Sequence, residues 1–274
     1  MITATGMLML IRMAAIITAR ATTTIILACM AATPTMIIAT VIRPPTAIMT
    51  ATVMTIETAA LVRLMSWLSP AFPVGGFNYS HGLEQAVAAD LVTDRDTFVA
   101  WLETLLMQGS AWNDLVLLAE AWRRTGAQEG LPEVAELAEA LSGSAERHLE
   151  TMNQGAAFLS AAANWGEGTP HGLGPRAALP VAVGACAAQS GLPLEASLAA
   201  FLQAFVSNQV QAAQRLMPIG QSGGIAVMSA LESLIAEIAG RAAASTLDDL
   251  GSSALNAEIA AMRHETMPSR IFVS

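Results

Sequence analysis

The chain has 274 residues, with 22 acidic and 13 basic side chains, every base an arginine, and a formal charge of −9 at pH 7. So acidic a surface repels phosphate backbones, which excludes nucleic acid as a partner, and attracts basic protein surfaces or cations. Two cysteines, Cys29 and Cys186, give no disulfide framework and fit a reducing cytoplasm.

The length allows a sizeable core in one or two domains. Alanine and leucine dominate, aromatics are few and β-branched runs are scarce after residue 60, so the expected fold class is all-α.

Residues 1–56 differ from the rest. They are mainly Met, Ile, Thr and Ala, with Arg12, Arg20 and Arg43 but no acid, Phe, Trp, Tyr, His or Ser. Arg12 and Arg20 split any secretory apolar region, and Leu27 is too bulky for a lipoprotein cleavage site before Cys29. No stretch here reaches the roughly 20 apolar residues of a membrane span, and a transit peptide would carry serine. His and Asp codons read one base late give Met, Ile and Thr, and shifted glycine codons give Ala. The segment has the composition of a His/Asp/Gly-rich tract translated out of frame. The expected start therefore lies downstream, at Met54 or Met65, and 1–56 is an extension with no assigned function.

Residues 57–274 read as one helical bundle-like domain of about eight to ten helices. "LVRLMSWLS" places Leu61, Leu64, Met65 and Leu68 at helical spacing before Pro70. "SPAFPVGGFNYSHGLE" (69–84) interrupts the pattern with two prolines and paired glycines. It lacks the Gly-Lys-Ser/Thr of a phosphate loop. Ser80 caps a helix over "HGLEQAVAADL", and Asp94 or Thr97 starts a long amphipathic helix running through Arg124 to Gly126. Pro132 opens the next, in which Gly143 and Gly155 mark a break or close contacts. A loop at 166–176 precedes helices over 177–189, 193–216, 218–243 and 253–264. Cys186, in an alanine-rich run, reads as a buried small thiol.

Chemistry is sparse. His81, His148, His171 and His264 stand in no zinc-site spacing with each other or with cysteine. His81 and Glu84 share an i,i+3 helix face, which reads as a polar pair at a first turn beside Tyr79. Ser80-His81 has no acid orienter nearby and is no nucleophile elbow. The run Glu133, Glu136, Glu139, Glu146 and Glu150 reads as a solvated face.

"LMSWLSPAFPVGGFNYSHGLEQAV" resembles the N-terminal signature of the urease accessory protein UreF family, S-P-x-x-P-x-G-G-[FY]-x-Y-S-x-G-L-E. "NQVQAAQRLMPIGQSGG" (208–224) and the terminal "MRHETMPSRIFVS" agree, so the resemblance runs from about Leu61 to Ser274. The family more often ends L-F-R-S, and here Val273 stands in place of that arginine. The resemblance implies an all-α, dimeric, non-enzymatic cytoplasmic maturation factor that keeps no cofactor and touches neither membrane nor nucleic acid. It would bridge UreD (also called UreH) and the GTPase UreG, couple GTP hydrolysis to nickel delivery to the urease apoprotein, and line part of the route of nickel as cargo. It also accounts for residues 1–56, because in urease gene clusters the preceding gene encodes the nickel chaperone UreE, whose tail is often rich in His and Asp.

On that reading Pro73, Gly75, Gly76, Phe77, Tyr79, His81 and Glu84 belong to a partner-reading loop. The prolines restrict the free loop, the glycines bare the backbone, and the aromatics offer anchors. Residues 265–274, with Arg270, Ile271 and Phe272 and helped by Arg263, form an arm that docks on UreD and orders on binding. Two rivals remain: a helical enzyme using His81, Glu84 and Tyr79, and a protein tethered to a membrane by residues 1–56.

Overall fold

In the computed structural model the described residues are 56–274, together with the backbone of two short strands, β1 (Ile25–Ile26) and β2 (Ile38–Ala39). The strands belong to a separate unit, Met1–Met54, and pair antiparallel with Ile25 opposite Ala39 and Ile26 opposite Ile38. The other expectations for the extension lie outside the described residues. The second unit, Thr55–Ser274, is helical throughout, as its composition predicts.

α1 (Thr58–Trp67) turns Leu64 and Trp67 into the core and leaves Leu61, Val62 and Met65 exposed. The inward stripe is therefore narrower than the expected one. After the signature loop, α2 (Leu83–Ala88) is a turn and a half long, with Leu83, Glu84 and Ala86 buried. α3 (Arg95–Gln108) starts at a capping box. The Asp94 carboxylate accepts from the Thr97 amide at 2.9 Å, and the Thr97 hydroxyl accepts from the Asp94 amide at 3.0 Å.

The long helix expected up to Arg124 is two helices. Gly109 adopts extended angles (φ −120°, ψ −157°), and α4 (Ser110–Ala127) begins after it. A Cβ at Gly109 would lie 2.9 Å from Leu105 Cα and 3.1 Å from Ala254 Cβ, so the break also lets the 254 segment approach.

α5 (Leu131–Ala140) carries Pro132 in its first turn, and α6 (Ala145–Ala162) is capped by Ser144, whose hydroxyl accepts from the Arg147 amide at 3.2 Å. Gly143 lies in the break between them. Gly155 is the close contact, since a Cβ there would sit 1.9 Å from the Ala177 carbonyl oxygen. The remaining helices are α7 (Leu179–Gln189), α8 (Leu194–Leu216), α9 (Gly220–Ala243) and α10 (Leu255–His264).

The core sits around α7, which is buried on every side from Pro180 to Ala187. It packs along α4 and α6, and α8 packs along α9. Small residues make this possible: at Gly184 a Cβ would meet the Leu118 carbonyl oxygen at 2.3 Å. Cys186, on the same helix, is buried, and desolvation pushes its thiol up to about 12. Indole donors tie connections to the bundle, Trp122 Nε1 to the Leu192 carbonyl at 2.9 Å and Trp112 Nε1 to the Asp249 carbonyl at 2.8 Å. α9 is long and apolar enough by length and composition to cross a membrane. Here its Val227, Leu231, Ile235 and Ile238 stripe packs into the bundle.

Gly184→Ala is expected to destabilise the fold by about 1–3 kcal/mol, because neither backbone can retreat. Gly126→Ala, in the same bundle but with nothing within 4 Å of its Cβ, should be neutral or stabilising by up to about 1 kcal/mol. Chemical denaturation of the two variants beside the parent checks both signs.

Candidate functional site

The signature segment forms a chain of short turns between α1 and α2. The Phe72 amide donates to the Ser69 carbonyl at 2.9 Å, and the Val74 amide to the Phe72 carbonyl at 2.8 Å. Gly75 (φ +75°) opens a 3₁₀ turn over Gly76–Asn78, a conformation that side-chain-bearing residues resist. Gly76 is less constrained: it has no positive φ, and a Cβ would lie 3.7 Å from Asn208 Oδ1. Gly82 (φ +75°) is the most demanding of the three glycines in this segment, with a Cβ 2.8 Å from the Ala261 amide nitrogen. It lets α2 touch α10.

Pro73 and Phe77 face outward, whereas Tyr79 is buried. Phe77 is 55% exposed, yet held. The Arg215 guanidinium lies 4.6 Å from its ring centre and 4.2 Å from that of Phe272, and it donates to the Phe77 carbonyl at 3.2 Å. One cation thus pins loop, tail and α8 together.

His81 and Glu84 do not share a helix face. His81 lies before α2 with φ +54°, which sends the two side chains to different clusters. His81 Nδ1 is 2.9 Å from Glu150 Oε1, and Arg147 Nη1 lies 3.0 Å from His81 Nε2. Arg147 Nη1 is equally 3.0 Å from Nδ1, so it is the Glu150 contact that marks Nδ1 as a donor. Burial and the Arg147 charge both lower the His81 pKa, against Glu150. Glu150 is 1% exposed and also accepts from Arg147 Nη1 at 2.6 Å, Gln154 Nε2 at 3.0 Å and Ser274 Oγ at 2.7 Å. Burial would raise its carboxyl, but Arg147, His81 and Ser274 outweigh that and hold it at about 2. Asp114, whose nearest cation is Arg147 Nη2 at 3.9 Å, is instead pushed up by burial to about 6.

Glu84 anchors the C-terminal segment. Its oxygens accept from the Ile271 amide at 2.7 Å and the Phe272 amide at 2.9 Å, and His264 Nε2 lies 3.2 Å away. His264 Nδ1 meets Glu146 at 2.7 Å, and Arg270 pairs with the same carboxylate. The Ser274 carbonyl accepts from both the amide and the hydroxyl of Ser80, at 2.7 and 2.6 Å.

The tail therefore differs from the expected free arm. It is folded onto its own domain because Glu84, Ser80 and Asn78 offer partners that lie far away in sequence, and Phe272 is 3% exposed. Ile271 and Val273 remain exposed. Val273 is held through its amide, which donates to Asn78 at 2.8 Å, so its replacement of arginine alters an outward side chain. Arg263 is exposed and makes no ion pair among the described residues. Ser80 acts one turn early, its hydroxyl accepting from the Glu84 amide at 3.3 Å, while Gly82 occupies the cap position.

The expected solvated acidic face holds for Glu133, Glu136 and Glu139 and fails for Glu146 and Glu150, which point inward. Sequence reading did not single out Asp114, Arg147, Arg215 and His264 as site residues. Among the described residues no group of three or more His, Cys, Asp and Glu is arranged to hold a metal ion. Behind the loop lies a cavity of about 250 Å3, reached past Pro70, Gly75 and Phe77.

Deleting residues 266–274 should cost about 3 kcal/mol or more, since Phe272 leaves its pocket and Glu84 loses two charge-assisted bonds. That corresponds to a fall of roughly 6–12 °C in Tm, readable by calorimetry.

Asp114→Asn should act with the opposite sign. A carboxyl raised to about 6 favours the fold as pH falls from 7 towards 4 and penalises it above 6. The variant should therefore gain on the order of 1–3 kcal/mol at pH 8, and the gain should vanish near pH 4. Glu150, held low, loses its contribution only between about pH 4.5 and 2.

The family model for UreF matches residues 92–232. The urease accessory protein UreF 1 of Brucella canis is 54% identical over 227 residues, covering 83% of this chain and all of the relative. The urease accessory protein UreF of Rhizobium leguminosarum bv. viciae is 55% identical over 218 residues, 80% of this chain and 98% of its own. That of Mesorhizobium japonicum gives the same figures. With the signature loop built as one rigid surface and relatives of this identity matched over nearly their full length, the chain belongs to the urease accessory protein UreF family.

Proposed function

We propose that the protein is a cytoplasmic adaptor in urease maturation, dimeric in its working complex, which bridges UreD (UreH) and the GTPase UreG. In that complex it couples GTP hydrolysis to delivery of nickel, the cargo, to the urease apoprotein. The observation that carries this reading is the exposed trio Phe77, Ile271 and Val273, set on backbone that buried carboxylates and Arg215 hold still. Apolar anchors on a rigid support lose little freedom when a partner covers them. The acidic surface adds attraction for basic partners. In this reading Ile271 and Val273 contribute to the partner surface as a rim of the loop rather than as a free arm.

The enzyme alternative loses its constellation. His81 faces Glu150, Glu84 faces the tail, and Tyr79 is in the core, so the three groups converge on no common point.

Phe77→Ala and Ile271→Asp should each reduce urease activation in a reconstituted accessory system at least tenfold, corresponding to about 1.4 kcal/mol of lost binding. Helicity should stay within error, and Tm should hold for Ile271→Asp and fall by only about 1–4 °C for Phe77→Ala, whose ring leaves the Arg215 guanidinium. Normal activation by the double variant would refute the assignment of this surface to partner binding.

A further inference from the structure

The cavity behind the signature loop has a chemistry that an adaptor surface does not require. Its walls are aromatic: the Phe72 and Phe158 ring centres lie 5.4 Å apart, Phe205 lies 4.9 Å from the His81 ring, and Phe201 adds a further face. Asp114 also lines it, and its carboxylate makes no hydrogen bond among the described residues. Gln154 and Asn208 each direct one amide N–H away, to Glu150 and to the Tyr79 carbonyl. Their oxygens remain as acceptors.

The charge balance follows from α4, α6 and the loop. Asp114 and Glu150 bring two negative charges, Arg147 brings one positive charge and His81 is neutral, while α8 presents only Phe, Ala, Asn and Gln. The cavity is thus aromatic, rich in acceptors and one negative charge in excess once Asp114 is ionised.

We infer that this cavity binds a guanidinium group, stacked on its phenylalanine faces and donating to Asp114. A planar cation with five donors in a fork matches dispersed acceptors and flat walls, and it is weakly enough hydrated to leave water. An ammonium offers a compact, strongly hydrated charge and stacks less well. A metal ion would find one unspent carboxylate. An anion could use Trp67 Nε1, buried without an acceptor among the described residues, but would face two carboxylates against one arginine. The mouth lies at the loop, so the group can arrive on a free guanidine or on an arginine side chain of a partner. The inference does not depend on the adaptor reading, because it concerns a ligand of the isolated chain.

The test titrates the full chain at pH 7.5 with methylguanidinium and with N-acetyl-arginine methylamide, followed by NMR and calorimetry. Saturable binding of methylguanidinium with shifts at Phe72, Phe158 and Phe205 is expected. If the arginine amide binds comparably, the source is a partner's side chain; if it is excluded, the source is a free guanidine. Methylammonium and phosphate should bind at least tenfold more weakly. Asp114→Asn should lose at least tenfold, equivalent to about 1.4 kcal/mol, lowering the pH to 5 should act likewise, and Gln211→Glu should tighten binding. No saturable binding, equal binding by folded Asp114→Asn, or preference for phosphate would each overturn the assignment. Should Asp114→Asn fail to fold, the pH response and Gln211→Glu decide.

Discussion

A carboxylate buried to 1% exposure is normally a liability, and here Glu150 organises the site. Removing such a group from water costs several kcal/mol, repaid only when its lone pairs are filled by well-placed donors. Glu150 receives four, from Arg147 and Gln154 on its own helix, from His81 on the loop and from Ser274 on the tail. Three parts of the chain must reach their final places before the charge is compensated. Glu84 repeats the arrangement with the Ile271 and Phe272 amides and His264. The loop and the tail are each rigid because the other completes the shells around these two acids.

Asp114 is the exception that gives this centre its character. It stands beside Arg147 at a distance too long for a hydrogen bond, and burial raises it into the physiological range. A group kept at a cost to stability, next to carboxylates that are fully paired, is the pattern expected where structure yields to ligand binding. The phenylalanines that line the same cavity offer it no hydrogen-bond partner.

Much of the helical plan was legible because its punctuation is local. Asp94 with Thr97, Ser144, and Pro132 in a first turn each carry the stereochemistry of a helix start in a few residues. Gly109 carries no local mark of a break, since a lone glycine in a periodic run also occurs within helices, and Ala254, the neighbour that its bare Cα admits, lies far along the chain. Glu146 and Glu150 repeat at the same spacing whether solvent or protein faces them. Only partners 69 to 124 positions away make them interior. Gly82 stood inside the recognised signature, but nothing near it in sequence announces that α10 passes within contact distance. The docking of the tail is hidden for the same reason, as an apolar tip of few residues has no visible core until Glu84 and Ser80 are placed beside it.

The Ser80–Ser274 contact spans 194 positions. A ribosome emits the signature loop long before the segment that fixes it, and domains acquire their order as units during synthesis. Closing so long a loop is entropically late, after the local helices have formed. The surface centred on Phe77 thus reaches its finished shape only once residues 271–274 have folded back onto Asn78, Ser80 and Glu84. Copies cut short before residue 271 would carry the loop without its brace.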